Sequence, residues 1–170
     1  DENQTSVGTV TATDADGDGV TFTISGSDLS ITSSGVITFN SAPNYESTNS
    51  YSATVNASDG TNSSTQDITV SVNNVNEAPT AISLSASAID ENASGSIVGT
   101  LTTTDVDAGD TTEYSLSGTD ADSFEVVDGK LKLKSGVSAD YETKTSYSVT
   151  ITVTDSGGLT TSNGFTVSVN

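Results

Sequence analysis

The chain has 170 residues, with 23 acidic side chains against four lysines and neither arginine nor histidine, for a net charge of −19. It therefore repels nucleic-acid phosphates and anionic membrane surfaces, and no nucleic-acid partner is expected. Cysteine, methionine and tryptophan are absent, which excludes disulfides and soft-metal ligation and leaves an oxygen-rich chain suited to Ca²⁺.

In chain order, Asp1-Glu2-Asn3 opens a first copy of a repeated unit, followed by Val7-Gly8-Thr9. Asp14-Ala15-Asp16-Gly17-Asp18-Gly19 is a paired-acid turn that can aim two or three carboxylates at one hard cation. An EF-hand beginning at Asp14 fails, because its twelfth loop position is Ser25 where a bidentate Glu is required. Asn44-Tyr45-Glu46, like Asp140-Tyr141-Glu142 further on, places a tyrosine between two oxygen donors, and the ring of each is expected in the core. Tyr51, Ala53, Val55 and Ala57 then alternate with polar residues, the period-two pattern of a half-buried strand. Asp59-Gly60 closes that strand, and Ile68, Val70 and Val72 form the next.

Asn73-Asn74-Val75-Asn76-Glu77-Ala78-Pro79 follows, a stretch that is short, polar and stiffened by Pro79. A strand from Ile82 to Ala88 leads into the second copy. There Asp90-Glu91-Asn92, Val98-Gly99-Thr100, Thr104-Asp105-Val106-Asp107, Asp140-Tyr141-Glu142 and Thr154-Asp155 return in the same order. Leu131 and Leu133 are expected inside, between Lys130, Lys132 and Lys134. Tyr147, Val149, Ile151 and Val153 alternate, as do Phe165, Val167 and Val169. Short strands punctuated by Gly and Asp, in units of about 90 residues with no helical stripe, indicate β-sandwiches. No strand precedes Asp1 as Ile82–Ala88 precedes Asp90. The chain reads as part of something longer, and the first copy is expected to keep an open edge that the parent protein or a neighbouring molecule would fill.

The ordered set Glu2, Asp14/Asp16, Asn44-Tyr45-Glu46, Asp59-Gly60 and Asn74-Val75-Asn76-Glu77-Ala78-Pro79 resembles a cadherin repeat. It follows that family's early Glu, Asp-x-Asp, Asp-Arg-Glu, Asp-Gly and Asp-x-Asn-Asp-Asn-x-Pro motifs. The Ser/Thr-rich, Cys-free style is similar to cadherin-like repeats of large bacterial surface adhesins. The resemblance implies an all-β chain of two tandem Greek-key β-sandwich domains, cadherin-like and Ig-like. Residues 1–73 would be a repeat lacking its first strand, 74–79 a calcium-binding linker, and 80–170 a complete repeat.

The resemblance also implies a ligand set. The complete junction would use Glu2, Asn44, Glu46, Asn74, Asn76, Glu77, Asp105, Asp107 and Asp155. Asp14, Asp16 and Asp59 would be one partial half-site, and Glu91, Asp140 and Glu142 another. The first linker acid of the family is Asn74 here, the linker is one residue shorter, and Asn44 replaces the acid retained at Asp140. Two or three calcium ions are expected. The acids of the junction repel one another by roughly 1 kcal/mol per pair about 4 Å apart in water, and by about 4 at an effective dielectric of 20, until cations neutralise them.

The expected function is a calcium-stiffened extender or adhesin stalk at the cell surface, whose partners are calcium and the adjacent repeats. Two other readings stand beside it: a carbohydrate-binding module, and homophilic adhesion to another cell-surface protein. With no Trp, and with the aromatics mostly at core positions, the chain lacks a sugar-stacking platform. An enzyme is not expected, because no His or Cys is present to act as base or nucleophile and the paired acids sit in cation-ligand turns.

Overall fold

Alternation of β-branched and polar residues sets the architecture. The computed structural model describes all 170 residues and divides them into two compact units, Asp1–Val75 and Asn76–Asn170. Both are all-β, Ig-like sandwiches.

The first unit contains β1 (Ser6–Thr9), β2 (Thr21–Ile24), β3 (Leu29–Ile31), β4 (Val36–Phe39), β5 (Ser50–Ser58) and β6 (Ser63–Ser71). One sheet has the order β1-β4-β3 and the other β2-β5-β6. In the β5–β6 hairpin Tyr51 lies opposite Val70 and Ala53 opposite Ile68, so inward residues meet across the pair. Leu29, Ile37, Phe39, Val55 and Val72 form the buried core, with Phe39 edge-to-face on Tyr51 at 4.9 Å between centroids.

The second unit contains β7 (Ala81–Leu84), β8 (Ala88–Ile89), β9 (Ile97–Thr104), β10 (Glu113–Ser117), β11 (Phe124–Val127), β12 (Lys130–Leu133), β13 (Ser146–Thr154) and β14 (Thr160–Val169). A single 3-10 turn spans Ala121–Ser123. The sheets run β10-β13-β14-β8 and β11-β12-β9-β7, with β8 parallel to β14. Asp128 and Gly129, both with positive φ, make the two-residue turn between β11 and β12. Leu131 and Leu133 are fully buried, as their alternation with lysines indicates. They join Phe124, Val149, Ile151, Val153 and Val167 in the core, where Phe124 meets Tyr147 edge-to-face.

Two expectations are corrected. The segment 82–88 is not one strand. It breaks after Leu84, so that β7 pairs with β9 in one sheet and β8 with β14 in the other. Gly99 permits this crossing, because a Cβ there would lie 2.8 Å from the Ala86 nitrogen. Tyr45 packs against the core of its unit, but Tyr141 is 49 % exposed.

Candidate metal centre

In the first unit, Asn3 adopts a left-handed φ of 61°, and its N–H donates to the Pro43 carbonyl at 3.0 Å. This sharp turn directs Glu2 inward, where it is only 3 % exposed. A carboxylate removed from water needs strong donors. Glu2 Oε2 accepts the Tyr45 N–H and Oε1 accepts the Val75 N–H, each at 2.9 Å, while the Glu2 N–H donates to the Asn73 carbonyl at 3.0 Å. Glu2 thus ties the 44–46 turn and the 74–75 segment to one end of the sandwich. Asn44 uses its side-chain oxygen to accept the Ser47 N–H at 2.8 Å. Glu46 is exposed and holds a carboxylate oxygen within 4.8 Å of one of Glu2; Asn74 is also exposed.

The second unit repeats this frame. Asn92 has a φ of 59° and bonds the Ala139 carbonyl at 2.8 Å, Glu91 N–H donates to Asn170 at 3.1 Å, and Glu91 Oε2 accepts the Tyr141 N–H at 3.1 Å. Glu91, Asp140 and Glu142 bring one oxygen each within 4.8 Å of the others. The Thr143 hydroxyl, donating to Asp140 Oδ2 at 2.7 Å, is the main cause that holds the Asp140 carboxyl below the ordinary value, helped by the Thr143 and Glu142 N–H groups.

At the other end of the second unit, β9 runs to Thr104 and delivers Asp105 directly from the sheet. Asp105 Oδ1 accepts the Asp107 N–H at 3.1 Å. Asp107 is buried, and its Oδ2 accepts the Glu77 N–H at 2.7 Å. Asn76 donates its side-chain amide to Asp155 Oδ2 at 3.0 Å. Leu159 N–H reaches Asp155 Oδ1 at 2.8 Å. Burial raises the Asp155 carboxyl, but the Asn76 amide and the Leu159, Gly158 and Gly157 N–H groups outweigh it, and the net direction is downward.

Asp105, Asp110 and Asp155 converge, with one oxygen of each within 4.8 Å of the other two. Asp110 lies in the acidic turn yet is absent from the ligand set inferred from the sequence. Its spacing of five from Asp105 is set by a turn through Gly109, at φ 95°, rather than by the Asp-x-Asp pattern. Gly157 was also missed: a Cβ there would come within 2.4 Å of the Asn76 side chain. Asp105 Oδ2 and Asp110 Oδ2 are sealed from solvent without a hydrogen-bond partner. Three carboxylates with two such oxygens are a poor arrangement for protons or water alone, and they suit a hard divalent cation that takes six to eight oxygen ligands.

The corresponding residues of the first unit are held differently. Asp14 Oδ1 accepts the N–H groups of Asp16 and Asp18 at 2.9 and 3.2 Å, and Asp59 Oδ1 accepts those of Thr61 and Asn62 at 2.7 and 2.6 Å. The backbone N–H of Asn62, then that of Thr61, holds Asp59 below the ordinary value. Asp14, Asp16 and Asp59 do not form a three-carboxylate group. The preceding strand explains the contrast, since β1 ends at Thr9, well before Asp14, whereas β9 continues to the residue before Asp105.

The cadherin domain family model matches residues 85–170. Among solved structures, human protocadherin-24 EC1-2 (form II) is similar with a TM-score of 0.75 at 23 % identity, over 95 % of this chain and 87 % of that one. Mouse cadherin-23 EC22-24 gives 0.70 at 23 % identity, over 99 % and 61 %. The protocadherin gammaB7 EC3-6 cis-dimer structure gives 0.68 at 26 % identity, over 98 % and 43 %. No curated protein matches the chain in sequence. With its two Ig-like sandwiches and its acidic turns, the chain belongs to the cadherin family, whose domains are extracellular, calcium-dependent adhesion repeats.

Proposed function

We propose that the chain is a calcium-stiffened segment of a cell-surface adhesin or stalk, and not an enzyme. In this reading residues 1–73 and 80–170 are the repeats and 74–79 the linker. The division between compact units after Val75, inside 74–79, supports that reading. The convergence of Asp105, Asp110 and Asp155, with two sealed and unpartnered carboxylate oxygens, is the observation that carries it.

Asp105, Asp110 and Asp155 would hold calcium from the second repeat, with Asn76 and Glu77 of the linker and Asp107 beside them. Glu2, Asn44, Glu46 and Asn74 would complete the set from the first repeat. When bound, calcium would supply the positive charge that converts mutual repulsion of these acids into a cross-link. Glu2 and Asp107 position the linker by accepting the backbone N–H groups of Val75 and Glu77. Asn76 orients Asp155 and leaves the other acids free of that duty. Affinities of about 10⁻⁴ to 10⁻³ M, usual for extracellular calcium modules, would keep such a linker stiff outside cells and loose in cytosol.

The test is small-angle scattering of the chain in millimolar calcium and again in excess chelator. A stiff particle that becomes a flexible pair on chelation is expected; an unchanged profile would overturn the proposal. Asp105→Asn together with Asp107→Asn should reproduce the chelated profile in calcium while both sandwiches stay folded.

A further inference from the structure

The second unit carries two groups of three converging carboxylates: Asp105, Asp110 and Asp155, and Glu91, Asp140 and Glu142. They differ in what their oxygens already hold. Asp140 Oδ1 accepts the N–H groups of Glu142 and Thr143, its Oδ2 accepts the Thr143 hydroxyl, and Glu91 Oε2 accepts the Tyr141 N–H. Asp140 and Glu142 are also exposed, so water serves their remaining lone pairs.

Asp105 Oδ2 and Asp110 Oδ2 are sealed from solvent and have no donor. The fold has already dehydrated them, so a cation arriving there strips no water from them and meets a concentrated negative charge. Asp155, only 6 % exposed, is aimed by the Leu159 N–H and the Asn76 amide. Such a site is preorganised, and little ordering opposes binding.

All three acids lie within Asn76–Asn170, as does Asn76. The first unit offers nothing comparable from its own acids. Glu2 accepts an N–H on each oxygen, Glu46 is exposed, and Asp14, Asp16 and Asp59 form no three-carboxylate group.

On the calcium reading proposed above, we infer that the second unit holds one calcium ion of its own, on Asp105, Asp110 and Asp155. This ion needs no ligand from residues 1–75 and loads before the ions that stiffen the junction. Asp110 makes the difference. Brought in by the Gly109 turn, it adds a third charge to Asp105 and Asp155, and the affinity of an oxygen site follows its charge count and rigidity. Two calcium thresholds result. As calcium falls the junction loosens first, while the second unit keeps its ion.

The test titrates calcium into the whole metal-free chain and follows backbone amide signals by NMR. Each acid has a reporter: the Asp107 and Leu159 N–H groups donate to Asp105 and Asp155, those of Tyr45 and Val75 to Glu2, and that of Tyr141 to Glu91. Asp107 and Leu159 should move at a calcium concentration on the order of tenfold lower than the other three. Asp110→Asn should remove this early step, so that Asp107 and Leu159 move no sooner than Tyr45 and Val75. Glu46→Gln should push only the later step to higher calcium. One common transition for all five amides, Tyr45 and Val75 moving first, an early step retained in Asp110→Asn, or an early step weakened in Glu46→Gln would each overturn the independent site and leave the junction reading standing. No movement of any amide in millimolar calcium would overturn both.

Discussion

The Glu77 backbone N–H donates to Asp107 Oδ2 across 2.7 Å, within the second unit. Asp107 therefore ties down the backbone at Glu77, whereas its neighbours Asp105 and Asp110 keep sealed oxygens with no hydrogen-bond partner. Acids in one turn thus differ in role, one accepting a backbone N–H and two holding unpartnered oxygens, and their substitutions should differ in sign.

Asp107→Ala is expected to destabilise the second unit by about 1–3 kcal/mol even in chelator, because it leaves the Glu77 N–H without its acceptor. Asp110→Asn should do the reverse in chelator. Carboxylates about 5 Å apart repel by roughly 1 kcal/mol in water and more at lower dielectric, so removing one charge should raise stability on that order. The same Asp110→Asn should abolish the stabilisation that calcium confers. Calorimetry of both variants with and without calcium decides the matter, and equal behaviour in chelator would contradict it.

Gly157→Ala should push the Asn76 side chain away and break its bond to Asp155, at a cost of about 1–2 kcal/mol. In an Asn76→Ala background the penalty should vanish, since the clashing group is gone. A double-mutant cycle measured by denaturant unfolding reads this coupling.

Glu2→Gln should cost the first unit about 1–3 kcal/mol, because the amide presents an NH₂ to one of the two N–H groups that the carboxylate now accepts. Glu91→Gln should cost the second unit less, since Glu91 accepts the Tyr141 N–H at the longer distance of 3.1 Å and is only half-buried. Unfolding of the two variants, each compared with the parent chain, gives the order.

Asp120 provides a pH test away from the calcium acids. The Lys144 ammonium, hydrogen-bonded to it, is the main cause that holds its carboxyl below the ordinary aspartate value of 3.8, and the Ser148 N–H at 2.7 Å adds to this. A carboxyl depressed in the folded state contributes stability that is full above about pH 4 and is lost as pH falls through the folded value. Asp120→Asn should therefore cost about 1 kcal/mol near neutrality, discounted because Lys144 is partly solvated, and nothing at the acid end. Thermal unfolding in chelator from pH 6 to 3 should show the two curves converging.

Much of the molecule was legible in the residues. Alternation at Tyr147–Val153 and Phe165–Val169, and the Leu131/Leu133 pair among lysines, specified strands and inward faces, because a strand has a strict period of two. Repetition of Asp-Glu-Asn and Asp-x-Asp marked the two copies and their acid ends. The division of Ile82–Ala88 between two sheets was not legible, because both halves are apolar and alternate in the same way. Tyr141 was not legible either: the tripeptide reads like that of Tyr45, yet its ring stands exposed where the Tyr45 ring packs on its core.

By itself the sequence determined the fold class, the duplication and the acidic balance that calls for a hard cation. Only the tertiary structure decided which acids converge. It brought Asp110 to Asp105 and Asp155, assigned Asp107 to the Glu77 N–H, and left Asp14, Asp16 and Asp59 in separate local turns. Carboxylate convergence depends on how far the preceding strand carries the turn: β9, paired with β7, reaches Thr104 beside Asp105, whereas β1 stops at Thr9, well before Asp14.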